Sequence, residues 1–341
     1  MTTIKDAVSL IVSGKTLGFE EAASVMDQIM NGESTPALTS AYLTALAMRG
    51  ETTDEIAGSA YEMRNHATRL PGNHDDALEI VGTGGDRSGS FNISTTSAFV
   101  IASSGVKVAK HGNRAASSKS GAADVLEALG ANIETTPEQT SGILDKSGFC
   151  FMFAQKYHSS MRYVAPIRKE LGIRTIFNIL GPLTNPAYAK NQFSGVYSKD
   201  MVRPFTEALV KLGIRNALVV HGTDCLDEIS VSDETVCCEY RNGVFEEYSI
   251  SPTDFGMKFH PHSEILGGSP ADNAAITKAV LKGEDRGAKR DAVLLNSAGG
   301  LYIIGKTKSI ADGIELAEQL IDSGKAMECL EGYIRCTRGF A

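Results

Sequence analysis

The stretch Ile80–Asp86, I-V-G-T-G-G-D, ends an apolar run in three glycines, a hydroxyl residue and an acid. Asn92–Thr96, N-I-S-T-T, then opens a helical pattern. A strand, a glycine turn and a helix N-terminus in that order make a cradle for phosphate. Glycine lets the backbone approach the anion, and the first-turn N–H groups point at it. A turn that merely reverses the chain has the same composition, so a second signal has to decide. Lys107–Lys119 supplies one, with Lys107, Lys110, Arg114 and Lys119 and no acid, in a chain of net charge −8. A solvated surface run is the ordinary reading of such charges. The Gly, Ser, Ala and Asn between them suit a tight loop facing an anion better. A unit charge about 4 Å from a phosphate, at an effective dielectric of about 20, is worth roughly 4 kcal/mol before desolvation. Two or three such contacts, with a helix dipole and backbone amides, hold a polyphosphate. A third group, Asp227–Glu228, is either a solvated loop pair or a place where a divalent cation bridges protein and phosphate.

These residues need a frame. Residues 3–70 read as helices only, at Thr3–Ser13, Phe19–Met30, Pro36–Met48 and Thr53–His66, with apolar residues spaced i, i+3, i+4. Thr52 and Glu55 form a capping box, and Ile4, Val8, Leu10 and Ile11 form the first buried stripe. From Leu78 short apolar strands alternate with helices. The strands are Leu78–Val81, Val106–Ala109, Phe149–Ala154, Phe193–Tyr197 and Ala217–His221. The helices are Ser94–Ser103, Ala122–Leu129, Pro137–Lys146, Met201–Leu212 and Ala271–Leu281. Alternation of this kind implies a mostly parallel central sheet covered by helices. Thr235–Ser249 reads as a hairpin turning at Asn242–Gly243. The tail from Asp291 is helical, broken at Gly299–Gly300, and Phe255–Ser269 is the expected mobile loop. Ligands in open α/β sheets sit beyond the C-terminal strand ends. Gly82–Asp86, Lys110–Asn113 and the loop leading to Asp227–Glu228 then share one edge.

The length of 341 residues, with 42% hydrophobic, allows two domains. No apolar run approaches the roughly 18 residues that span a bilayer, and the start carries no signal-peptide pattern. The six cysteines show neither a CxxC pair nor zinc-ligand spacing, and read as free thiols of a cytoplasmic protein. The acidic balance argues against nucleic acid. His260 and His262 read as a solvated loop, because no third ligand has suitable spacing.

With these loops in view, the chain resembles the anthranilate phosphoribosyltransferase family over nearly its whole length. The carrying motifs are G-T-G-G-D at Gly82–Asp86, F-N-I-S-T at Phe91–Thr95 and K-H-G-N-R at Lys110–Arg114, running on to Gly130. They continue with P-I-R-K-E-L-G-I-R-T-I-F-N-I-L-G-P-L-T-N-P at Pro166–Pro186 and L-D-E at Leu226–Glu228. The resemblance implies transfer of phosphoribosyl from its pyrophosphate to the amine of anthranilate, with up to two Mg2+ per subunit, in a homodimer contacting through helix 3–13. It implies that Gly82, Gly85, Asp86, Ser90, Asn92, Ile93, Ser94, Thr95 and Ala122 hold the donor. Lys110, His111, Gly112, Asn113, Arg114, Ala115, Ala116, Ser117 and Ser118 wrap its pyrophosphate and ribose. Lys110 and His111 are the candidates for electrostatic and positioning work, and His111 also lines the acceptor channel. Gly82, Asn113 and Arg168 meet anthranilate; by spacing alone Arg168 is a surface ion-pair residue. Ser94, Asp227 and Glu228 anchor the metal. A helical domain, residues 1–70 with part of 168–190, faces an α/β domain, 75–341, and the two close on the donor. Ala122, Arg87 and Ser90 depart from the family's usual residues. The rival readings are a pyrimidine nucleoside phosphorylase and a non-catalytic nucleic-acid-binding relative.

Overall fold

A computed structural model describes residues 2–115 and 119–339. Four helices open the chain: α1 (Ile4–Val12), α2 (Phe19–Met30), α3 (Pro36–Arg49) and α4 (Thr53–Asn65). Thr3 with Asp6 and Thr52 with Glu55 form capping boxes that satisfy first-turn amides. The buried stripe of α1 is Ile4, Ala7 and Ile11, at i, i+3, i+7; Val8 and Leu10, expected in it, are only half-buried.

The body is a seven-stranded sheet: β1 (Leu78–Gly82), β2 (Val108–Gly112), β3 (Phe149–Phe153), β4 (Asn191–Gly195), β5 (Asn216–Gly222), β6 (Thr235–Arg241) and β7 (Val244–Ile250). Its order is β3-β2-β1-β4-β5-β6-β7. The first five strands run parallel and the hairpin β6–β7 is antiparallel. Asn242 and Gly243, both at positive φ, make the expected two-residue turn. β2 begins two residues later than its apolar pattern indicated. Lys110, His111 and Gly112 are therefore strand residues, paired with Phe151, Met152 and Phe153, and the loop starts at Asn113. The all-buried β3 fixes that register against two polar side chains.

Helices α5 (Ile93–Ser103), α6 (Ala122–Leu129) and α7 (Pro137–Ser147) cross between strands. Short turns α8 (Ala154–Tyr157), α9 (Ala165–Leu171) and α10 (Phe177–Leu180) lead to β4, and α11 (Val202–Lys211) joins β4 to β5. The chain ends in α12 (Pro270–Leu281), α13 (Ala288–Ile303), α14 (Ile310–Asp322) and α15 (Lys325–Arg338). The expected break at Gly299–Gly300 is absent: α13 runs straight through. A Cβ at Gly300 would sit 2.5 Å from Ile101 Cδ1, and one at Gly299 3.1 Å from Ile229 Cδ1. The glycines bring α13 close to its neighbours instead of ending it.

Successive residues of β5 point to opposite faces. Leu218 and Val220 join a core with Leu78, Ile80, Phe99, Phe193 and Leu295. Ala217 and Val219 join another with Phe205 and Leu209 of α11, Ile56 of α4 and Met26 of α2. The opening helices therefore share an apolar core with one face of the sheet. Arg64 of α4 is buried and donates to the Leu183 carbonyl at 2.7 Å.

The expected mobile loop Phe255–Ser269 is a pinned strap. Phe91 N–H donates to the Ile265 carbonyl (3.0 Å) and Gly267 N–H to the Gly89 carbonyl (2.9 Å). His260 and His262 are not solvated as expected. His260 is buried, between Asp291 (2.7 Å) and Glu264 (3.1 Å), and His262 Nε2 meets the Ser88 carbonyl at 2.8 Å. All six cysteines are free.

Candidate active site

Gly82 and Gly195 are register partners at the C-terminal ends of the adjacent strands β1 and β4. Chain order jumps between them, which makes this a topological switch point, the place where open α/β sheets bind ligands. Asp227 fills the space that two missing side chains leave. A Cβ at Gly82 would overlap its carboxylate, and one at Gly195 would overlap its backbone carbonyl. Seated there, Asp227 Oδ2 accepts the Gly84 N–H at 2.6 Å, while its own N–H donates to Asp86 at 3.4 Å. Glu228 Oε1 accepts the Ser94 N–H at 3.1 Å. Lys110 Nζ comes up from β2 to the Ile80 carbonyl (2.5 Å) and Ser94 Oγ (3.2 Å). Three chain segments distant in sequence thus meet around one group of charges.

The electrostatics follow from burial. Glu228 is pushed up to about 7 by desolvation, with Lys110 and the Ser94 bonds pulling the other way. Asp227 is held well above the usual carboxylate range by burial, then by the charges of Asp86 and Glu228. Burial lowers Lys110, opposed by Glu79, Glu228 and Asp227. Glu79 is the second residue of β1 and is buried; desolvation raises it to about 8 against the pull of Lys110 and the His111 N–H. Carboxylates strained by each other's charge, with a serine hydroxyl beside them, are hard oxygen donors that suit Mg2+. The residues present fit that ion.

The expected basic wrap is arranged differently. Lys107 is paired with Asp145 on the surface (2.6 Å). Lys110 is 2% exposed and faces inward. Arg114 is held on α6 by Asp124 (3.1 Å) and Glu127. Lys119 is the basic residue of this segment that lines a cavity of about 350 Å3, together with Asp86, Ser90, Gly267 and Asn273. Ala115 N–H donates to Asp124 at 2.9 Å; Ala116, Ser117 and Ser118 lie outside the described residues. Asn113 is exposed at the loop's start, its Oδ1 accepting the Arg114 N–H at 2.8 Å. Another hollow, of about 420 Å3 against α2, is lined by Glu20, Glu21, Asp27 and Glu62 and repels an anion.

His111 is buried, and its imidazole packs against that of His158 at 4.9 Å between centroids. Burial, then the His158 charge, holds it well below the usual histidine value, and burial takes His158 to about 4. Both shifts favour the neutral imidazole over the cation that a phosphate would want. Gly112 backs onto Phe151 and Ala122, where a Cβ would be 2.9 and 3.2 Å away. Ile93 and Thr95 are buried in the first turn of α5, and Ser90 bridges to Leu266 of the strap. Arg168 is half-buried, its guanidinium 5.5 Å from the centroid of Phe177, and makes no ion pair among the described residues. The surface pairing that spacing suggested is absent. Arg174, which was not foreseen, donates to the Gly85 carbonyl and lies 4.0 Å from the centroid of Tyr197. Glu79 was also missed, although an acid inside an apolar strand is itself a signal.

A helical bundle on an α/β body of this order is the pair of domains of a class of glycosyltransferase. Residues 5–67 match the glycosyl transferase family, helical bundle domain, and residues 74–327 match the glycosyl transferase family, a/b domain. The anthranilate phosphoribosyltransferase of Methanobrevibacter smithii is 55% identical over 334 residues, 98% of this chain and 99% of its own. The crystal structure of the enzyme from Thermus thermophilus superposes with a TM-score of 0.92 at 45% identity, covering 98% of this chain and 99% of that one. The Saccharomyces cerevisiae enzyme in complex with PRPP and Mg matches with a TM-score of 0.90 at 28% identity, covering 98% of each chain. This chain belongs to the anthranilate phosphoribosyltransferase family.

Proposed function

We infer that this chain transfers the phosphoribosyl group of 5-phosphoribosyl 1-pyrophosphate to the amine of anthranilate. The C1–O bond to pyrophosphate breaks, a C1–N bond forms, and the amine releases a proton. The observation that carries the reading is the meeting at the switch point of Gly84 N–H with Asp227, Ser94 N–H with Glu228, and Lys110 with the Ser94 hydroxyl. A loose ribosyl transition state needs little covalent help. It needs the donor held still and charge on the leaving group stabilised, and a neutral aromatic amine needs positioning more than deprotonation.

The donor's phosphates lie along Gly85–Ser90 and the start of α5, with Asn92, Ser94, Thr95 and Lys119. Lys110 acts from below by fixing Ser94 and balancing Glu228. Asp227 and Glu228, with Ser94 and Asp86, would hold Mg2+, one or two ions, which when bound supplies positive charge to the pyrophosphate. Anthranilate sits toward Asn113 and Gly82, with its carboxylate on Arg168, whose planar guanidinium has no carboxylate partner among the described residues. Ala115, Ala116, Ser117 and Ser118 belong, by the family pattern, to the residues that take the donor's pyrophosphate and ribose. The two working units are 1–70 with part of 168–190, and 75–341. The subunit works in the cytoplasm as a homodimer contacting through helix 3–13. No helix among the described residues is long and apolar enough to cross a membrane.

The test is anthranilate fluorescence in a mixture with pure protein, Mg2+ and the phosphoribosyl donor. Its steady loss, dependent on all components, is expected. No loss, with phosphate-driven cleavage of a pyrimidine nucleoside instead, would replace this reading with phosphorolysis. Arg168→Ala should raise the KM for anthranilate with a modest change in kcat, the mark of lost uniform binding. An unchanged KM removes Arg168 from the acceptor site.

A further inference from the structure

Asparagine is among the strongest N-cap residues, its side-chain oxygen accepting the N–H of the second or third helical residue. Asn92 stands at the N-cap of α5 and makes no such bond. Its Oδ1 is occupied elsewhere, by Asn273 Nδ2 at 2.9 Å and Ser120 Oγ at 3.2 Å, and its Nδ2 donates to the Ser120 carbonyl at 3.2 Å. Asn273 is itself fixed. It is 2% exposed, in the first turn of α12, and its Oδ1 accepts the Gly268 N–H at 2.8 Å. One side chain therefore ties the strap to the start of α5, at the wall of the cavity that Asp86 and Lys119 also line. The Ser94 N–H is already given to Glu228. The Thr95 N–H is the amide that a capping Asn92 would take.

We propose that Asn273 is a positioning residue for the donor: it holds the Asn92 amide off the end of α5, so that the helix N-terminus stays open to the donor's phosphate. A helix end that caps itself with its own asparagine has spent the amide an anion would use. Asn273 prevents this from a segment 181 residues away in sequence. The proposal rests on the donor reading given above.

The experiment is a double-mutant cycle with KM and kcat read separately. Asn273→Ala should raise the KM for the phosphoribosyl donor about tenfold, the scale of one lost buried hydrogen bond. The KM for anthranilate and kcat at saturation should move less than about twofold. In an Asn92→Ala background the same change should leave the donor KM unmoved, because the two residues act as one unit. A matching rise in both KM values, or a second tenfold rise in the Asn92→Ala background, overturns the proposal. Thermal melting reports folding. If Asn273→Ala does not fold, Asn273→Asp keeps the acceptor for Gly268 and an acid favoured at a helix start, yet donates nothing to Asn92; the cycle subtracts its added charge. The parent protein runs in the same assay. A parent without transfer defeats the activity reading, whereas an active parent with an unmoved Asn273→Ala defeats Asn273 alone.

Discussion

The turn after β1 takes its shape from its backbone, whereas the described ends of the turn after β2 are held by a carboxylate of α6. After β1, Gly84 and Gly85 have φ of 66° and 72°, Asp86 Oδ1 accepts the Ser88 N–H at 3.2 Å, and the strap pairs with Gly89 and Phe91. After β2, Asp124 of α6 accepts the Ala115 and Gly121 amides, both at 2.9 Å, and holds Arg114. The first design needs particular residues at particular places and can be read from a short motif. The second depends on partners elsewhere in the chain, so a row of cations says little about where each charge points.

The sharpest way to break this contrast is to put a side chain into the backbone-built half. Gly195→Ala would push the Asp227 carbonyl and take Glu228 with it. We expect turnover to fall by at least about 100-fold, as misplacement of a positioned group does, and stability by about 1–3 kcal/mol in urea titration. Activity within threefold of the parent would show that the cradle yields. Glu228→Gln keeps shape and removes charge. It should raise the Mg2+ concentration for half-maximal rate by roughly tenfold or more, the scale on which altered metal-site residues cost affinity. Next comes acidity. Glu228 at about 7, against an ordinary 4.5, binds its proton more tightly in the folded state, and Asp227 moves the same way. Their contribution to stability is full below the unfolded value and is lost as pH rises through about 7. Melting temperature in EDTA should fall by a few degrees between about pH 5.5 and 8. Added Mg2+ should restore it at the upper pH and do little at the lower. A flat profile would mean that these carboxyls are not strained by burial. The smallest effect belongs to the ion-paired half. Arg114→Ala should cost under about 1 kcal/mol and change the donor KM less than about threefold. A larger KM change would show that Arg114 leaves Asp124 and Glu127 when the donor arrives.

Much of this was legible in the sequence. Helix periods, the parallel sheet, the Asn242–Gly243 hairpin and the glycine cradle all follow from local rules. Asp227 and Glu228 enter the candidate site through the family motif, while spacing left them open. The failures share one cause. Lys110 and His111 looked like loop residues because strand cores are expected to be apolar, and only the pairing with Phe151 and Met152 puts them inside. Gly299–Gly300 looked like a helix end because propensity is local, and the close approach of Ile101 is not. The strap looked slack because its prolines and glycines were counted without the carbonyls of Ser88 and Gly89 that hold it. Arg174 stands inside the Pro166–Pro186 motif without a role that the motif names, and Asn273 stands outside every motif; each matters through a partner far along the chain.

The apolar core that α2 and α4 share with α11 and β5 has a practical reading for anyone who would re-engineer the acceptor. The opening helices are not a cap that can be exchanged as a cassette. Deleting them would bare Phe205, Leu209 and Val219 to water and invite aggregation. A chimaera with a foreign bundle has to import the matching surface as well.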